Sequence, residues 1–182
     1  TNVGKVYRLK VHELPLGSRQ SKGRAIVNLL PFRQDEQVRA VIQTRNFTEA
    51  EYLLCATKNG VVKKTKLAEY NTPLKADGII AIKMRDGDEL VAVRHVAPTD
   101  DILLVSKKGQ AIRFAATDAR SMGRATEGVR GMSLRGDDEV IAAGIARDDS
   151  DLLVVTENGY GKRTPVSEYP RKGRGGMGVR TV

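Results

Sequence analysis

Apolar positions fall in short runs of up to eight residues, separated by Gly, Asp and Pro. The pattern predicts strands at 24–30, 38–44, 52–57, 61–66, 79–84, 89–96, 102–106, 110–114, 129–134, 140–146 and 152–156. Runs of this length, rich in Val, Ile and Leu and bounded by turn residues, are β-strand signals. Several pairs are joined by tight turns ending in glycine, such as the one at Gly159 between 151–156 and 160–164. The turn needs positive φ, which glycine adopts without steric cost. The stretch 115–121 is read as loop, and no long helix is predicted, so the fold class is all-β.

The runs repeat. Turn glycines stand at Gly4, Gly60, Gly109 and Gly159, and a second glycine follows each at nearly constant distance, at Gly23, Gly78, Gly128 and Gly178. Gly109 to Gly159 is 50 residues; the first unit is longer, with its extra residues around 45–51. The expected units are 4–59, 60–108, 109–158 and a partial 159–182, together part of one repeat domain over 1–182. The clipped first copy suggests a piece excised from a longer chain. Four strands per repeat of about 50 residues describe a propeller-like array.

Charge follows the same repeat. The 182 residues carry 31 Lys and Arg against 22 Asp and Glu, a net +9, with a pI near 9.8. Such a surplus favours polyanions, chiefly nucleic acid. Four places after each turn glycine stands a base, at Arg8, Lys64, Arg113 and Arg163. Nine places after it stands an acid, at Glu13, Glu69, Asp118 and Glu168, expected to pair locally with that base. Equal offsets on equal strands face the same way. The four bases are therefore expected to point outward along one rim, with Lys5, Lys10, Lys63, Lys66, Arg120, Arg124, Lys162, Arg171, Lys172, Arg174 and Arg180 extending the band. The remaining acids, including Asp86, Asp88, Asp100, Asp101, Asp137, Asp138, Asp148 and Asp151, sit in other turns and are expected to lie away from it.

Other chemistry is thinly represented. There is no P-loop and no Ser/His/Asp spacing, and His12 and His95 are isolated. The single cysteine, Cys55, cannot form an internal disulfide or a zinc site and is read as a core thiol. The acid-rich turns are ordinary hairpin chemistry, and no metal site is expected. No apolar run approaches the ~20 residues a membrane span needs.

The loop 169–180 carries Arg171, Lys172, Gly173, Arg174, Gly175, Gly176, Met177 and Gly178. It resembles the gyrase box, Gln-basic-Arg-Gly-Gly-basic-Gly. Arg174, Gly175, Gly176 and Gly178 match, while Lys172, Gly173 and Met177 stand at the other three positions. The run Asn59 to Lys66, the Glu-Tyr pairs at 69–70 and 168–169 and Gly-Asp-Glu at 87–89 extend the resemblance over the whole chain. The chain is similar to the C-terminal DNA-wrapping domain of the DNA gyrase A family; the paralogous topoisomerase IV protein remains the other member the degenerate box admits.

That resemblance implies a β-pinwheel, a propeller-like disc whose neighbouring blades exchange a strand, bending double-stranded DNA around a basic rim without reading its sequence. The implied DNA-binding residues are Arg8, Lys10, Lys63, Lys64, Lys66, Arg113, Arg124, Lys162, Arg163, Arg171, Lys172, Arg174, Gly175, Gly176, Gly178 and Arg180. The adjacent glycines would let backbone N–H groups approach a phosphate. The implied holoenzyme is an ATP-hydrolysing type IIA topoisomerase of the bacterial cytoplasm and nucleoid, with the gyrase B protein and the rest of the gyrase A protein as partners. ATP and Mg²⁺ would belong to that holoenzyme, with no cofactor and no catalytic residue in this chain. A protein-binding propeller scaffold is the alternative, and an exposed apolar patch on the disc would favour it.

Overall fold

The structure is a computed structural model that describes residues 1–47 and 52–182. In chain order the strands are β1 (Lys5–Val6), β2 (Tyr52–Thr57), β3 (Val61–Lys66), β4 (Ile79–Ile80), β5 (Leu90–Val96), β6 (Asp101–Ser106), β7 (Gln110–Ala115), β8 (Val129–Arg130), β9 (Val140–Ala146), β10 (Asp151–Val155), β11 (Gly161–Pro165) and β12 (Val179–Arg180). Short 3-10 turns intervene at Val11–Glu13, Ile26–Asn28, Leu67–Tyr70, Ala116–Asp118 and Val166–Glu168, and the described residues contain no α-helix.

Two four-stranded antiparallel sheets form the body, in the orders β5-β2-β3-β8 and β9-β6-β7-β12. In each, the two central strands are sequence neighbours, one outer strand, β5 or β9, follows after a single intervening strand, and the other, β8 or β12, comes from beyond the next hairpin. β4 likewise returns to pair with β1, and β10 pairs with β11 alone. Consecutive repeats thus exchange a strand, as a pinwheel requires.

The hairpins form where the glycines place them. Gly60 has φ +79°, and its N–H donates to Thr57 O at 3.0 Å. A side chain there would also collide with the incoming strand, since a Cβ would lie 2.5 Å from Met132 O. The crossing chain rests on this turn through Gly131 N and Met132 N, which donate to Gly60 O at 2.7 and 3.0 Å.

β6 is buried at every position and β2 at all but its first. That is why they read as apolar runs with little alternation: both faces are covered. Leu54 and Val62 of the first sheet meet Ile102, Leu104, Ile112 and Phe114 of the second in one core, with Met132 and Val140. Each such side chain, fully buried, stabilises by roughly 1.5–3 kcal/mol. A second cluster sets Leu103 and Val105 against Val166 and Tyr169 of the following repeat.

Four expected strands differ. Residues 24–30 hold a 3-10 turn, and 38–44 form no strand. In the later repeats the corresponding strands, β5 and β9, pair with the strand preceding a turn glycine. Residues 38–44 meet no such strand among the described residues; next to them, residue 37 is held by one backbone bond, Asn2 N to Gln37 O at 2.9 Å. Without a ladder, Val41 stands 89% exposed. The runs 79–84 and 129–134 shrink to the two-residue strands β4 and β8, because each is lent to the preceding sheet only over those residues.

Candidate nucleic-acid interface

The four bases at the repeat's fourth position do occupy equivalent places. Lys64 faces Leu54 across its hairpin, Arg113 faces Leu103, and Arg163 faces Leu153, while Arg8 follows β1. Three of them do not project as a free rim. The Lys64 ammonium donates to Ala116 O at 2.6 Å. Arg113 Nη1 lies 3.4 Å from Val166 O and 3.5 Å from Tyr169 O. Arg8 Nη1 donates to Thr72 O at 2.8 Å and Tyr70 O at 3.4 Å. All of these acceptors belong to the 3-10 turn of the next repeat, or to the residues that follow it. The repeated base is a clasp between consecutive repeats.

The clasp differs in depth. Lys64 is buried, with its ammonium 4.9 Å from the centre of the Tyr52 ring, and burial pulls its pKa below the ordinary lysine value. Arg8 stays exposed over Phe47 at 4.9 Å. Arg163 is exposed and ion-pairs with Asp151 at 3.0 Å. Lys63, expected on the rim, is fully buried. It donates to Thr65 Oγ1 and Ala81 O, each at 2.6 Å, and burial lowers its pKa. A base held in this way has left water and cannot meet a phosphate without unfolding its surroundings.

Acids also depart from expectation. Glu13, Glu69, Asp118 and Glu168 each sit in a 3-10 turn. None of these acids forms an ion pair with the repeat's base; Arg113 instead takes Asp101 at 2.7 Å and Asp148 at 2.6 Å. These bonds, led by the one to Asp148, raise its pKa further. Asp101 and Asp151, read as lying apart from the bases, stand among them.

The box-like loop is docked on the preceding repeat. Arg171 grips Asp101, with Nε 3.0 Å from Oδ2 and Nη2 2.7 Å from Oδ1. Arg174 donates to Asp118 O at 3.1 Å and to Arg130 O. The Gly175 N–H, expected to be open to phosphate, donates to Gly131 O at 2.8 Å, and Gly176 O accepts Ser133 N at 2.9 Å. Gly178 has φ +82°, and a Cβ there would strike Ala111 O. Its glycine is required by strand crossing, like that of Gly128 one repeat earlier.

Exposed cations remain. Lys10, Lys66, Lys162 and Lys172 are exposed, and their ammonium groups have no acidic partner within ion-pair distance among the described residues. Arg180 is exposed, with Nε donating to Val182 O at 2.7 Å. Arg124 is half-buried and lies close enough to Lys63 to help depress its pKa. Lys10 and Lys66 share the sixth place after their turn glycines, two residues beyond the clasp. The sequence already placed both in its basic band, and they stay exposed because a strand's end is where a covered face opens to solvent.

A family model described as DNA gyrase C-terminal domain, beta-propeller, matches residues 1–45, 51–97, 100–147 and 150–182. The chain belongs to the DNA gyrase A C-terminal domain family. The DNA gyrase A protein of Mycobacterium tuberculosis (strain ATCC 25618 / H37Rv) is 48% identical over 128 residues, covering 69% of this chain and 15% of that protein. The chain thus spans a small part of the curated relatives it matches. Among solved structures, the C-terminal domain of a DNA topoisomerase IV superposes with TM-score 0.91 at 28% identity, over 98% of this chain and 56% of that one. A DNA gyrase A C-terminal domain gives TM-score 0.81 at 29% identity, over 98% and 57%. In this member of the gyrase A C-terminal domain family, Asp101, Asp148 and Ser133 were not identified as seam residues because their partners Arg171, Arg113 and Gly175 lie 70, 35 and 42 residues away in the chain.

Proposed function

We propose that this chain, as part of one repeat domain over 1–182, binds duplex DNA without reading its sequence and bends it along the exposed bases of successive repeats. The observation that carries this reading is the set of exposed lysines without acidic partners, Lys10, Lys66, Lys162 and Lys172, on a chain of net +9. Family membership supports it. The residues proposed to meet phosphate are these four with Arg8, Arg163 and Arg180, whose guanidinium groups keep exposed faces. Lys63, Lys64, Arg113 and Gly175 are assigned to holding the repeats together. Phosphate contacts position DNA but carry no sequence information. Smooth bending of a 20–30 bp site costs of order 1–6 kcal/mol, so several bases must act together to offset it.

The whole protein proposed is a bacterial DNA gyrase that acts on DNA topology. The gyrase B protein and the rest of the gyrase A protein are its partners, at the nucleoid in the cytoplasm. ATP hydrolysis, Mg²⁺ and strand cleavage are assigned to those other parts. This chain would hold a DNA segment for passage and so give supercoiling its direction.

Exposed apolar residues do occur, at Leu153 (66%), Val155 (62%) and Tyr160 (78%). The positions of Leu153 and Val155 one repeat earlier, Leu103 and Val105, are covered by Val166 and Tyr169. That face is therefore of the kind that packs repeat on repeat, which removes its support for the scaffold alternative. The test is affinity and bending of a duplex at 50 and 200 mM salt. The four lysines without acidic partners, neutralising one phosphate each, give a slope near −3.6 in log affinity against log salt, about a 150-fold loss over that interval, and contacts by the three arginines would steepen it. A flat salt response, or binding without any bend, would sink the proposal.

A further inference from the structure

Asp101 opens β6 at the seam between two repeats, and its carboxylate is 3% exposed. Two arginines from different repeats converge on it: Arg113, whose Nε donates to Oδ2 at 2.7 Å, and Arg171, whose Nε donates to Oδ2 at 3.0 Å and whose Nη2 lies in ion-pair contact with Oδ1 at 2.7 Å. The next residue of the loop is tied by backbone, Lys172 N to Arg113 O at 2.8 Å. Arg113 and Arg171 also form a parallel bridge.

The preceding repeat provides an internal comparison. There Lys64 and Ser121 form the same parallel bridge, and Met122 N donates to Lys64 O at 2.8 Å. Tyr52 stands where Asp101 would be, and Ser121 where Arg171 would be. Backbone docking of this loop therefore needs no ion pair. The carboxylate and its second arginine are added where the loop carries Arg171, Lys172 and Arg174. A buried charge is costly to desolvate, and a paired one contributes geometry more dependably than stability. A negative charge in this place also opposes attraction of phosphate, so affinity does not account for it. A guanidinium held by one hydrogen bond to Oδ2 and an ion-pair contact to Oδ1 is fixed in direction as well as distance.

We propose that Asp101 is the positioning residue of the basic loop 170–178. It holds Arg171 in one orientation and presents Lys172 at a fixed angle, so that the loop constrains the path of DNA instead of merely attracting it. The proposal rests on the DNA-bending reading above.

The test is Asp101→Asn in the full chain. It uses amide hydrogen exchange together with affinity and end-to-end fluorescence energy transfer on a duplex of about 30 bp. Exchange at Lys172 should quicken by about tenfold or more, while Met122, the same amide one repeat earlier, keeps its protection. Bending should fall, with affinity unchanged or higher within about threefold, since an opposing charge is gone. Arg171→Lys gives a second route should Asp101→Asn fail to fold. It keeps the charge but loses the fork, so it should lose bending at an unchanged salt slope. Unaltered exchange at Lys172 with unaltered bending would overturn the proposal. So would loss of bending and affinity together with Met122 protection, because that pattern means general loosening. A wild-type chain that fails to bend DNA would overturn the DNA reading instead, while Lys172 exchange would still report whether Asp101 orders the loop.

Discussion

Lys64 and Lys66 stand two residues apart on one face of β3, yet the structure assigns them opposite roles. Lys64 is buried, and its ammonium donates to Ala116 O at 2.6 Å. Lys66 is exposed at the end of the strand. Lys64→Ala leaves the fully buried Ala116 with an unsatisfied carbonyl, a loss of about 1–3 kcal/mol. Losing the contact with Tyr52 adds roughly 0.5–1 kcal/mol. Unfolding in urea should therefore shift by about 2 kcal/mol. The salt slope of DNA binding should not change, because no phosphate contact has been removed. Lys66→Ala should do the reverse. Stability should move within about ±0.5 kcal/mol, and the slope should relax by about 0.9. From a slope near −3.6, the affinity ratio between 50 and 200 mM salt would drop from about 150-fold to about 40-fold. Fluorescence anisotropy over a salt series, paired with urea denaturation, reads both quantities. If Lys64→Ala flattens the salt slope and leaves the urea midpoint alone, the assignment of that base to the repeat seam is wrong.

Met177, 41% exposed where the gyrase box has a base, should steepen the salt slope by about 0.9 as Met177→Lys and increase bending in the energy-transfer assay. Gly128 has φ +94°, and a Cβ there would lie 2.6 Å from Val62 O. Gly128→Ala should therefore cost at least about 2 kcal/mol by thermal unfolding. Burial pushes the Cys55 thiol from 9.0 up to about 11. Between those values the unfolded chain has lost a proton that the folded chain keeps, so stability falls as pH rises from about 9 to about 11, by roughly 2–3 kcal/mol. Cys55→Ala should remove that contribution, most plainly between about pH 9 and 10 in urea titrations; above about pH 10 the buried Tyr70, whose pKa is also raised by burial, keeps stability falling. Lys63, whose folded pKa is lowered by burial, acts in the opposite sense, and Lys63→Met should make the alkaline decline steeper.

Local pattern was enough for the hairpins. A turn with positive φ and two flanking apolar runs is specified within about a dozen residues, so Gly60, Gly109 and Gly159 were legible and the all-β class followed. Equal offsets also identified equivalent positions correctly, because period-two geometry acts within a strand. What lies above a face is another matter. Lys64 is capped by a carbonyl 52 residues further on, and Asp101 meets Arg171 across 70 residues. The strands at 38–44 failed for the same reason: a strand needs a partner ladder, and alternation alone does not supply one. Composition determined that the chain is cationic; tertiary structure decided which cations face water. A lysine has the same charge whether its ammonium reaches solvent or a backbone carbonyl, and only the packing of the next repeat distinguishes the two.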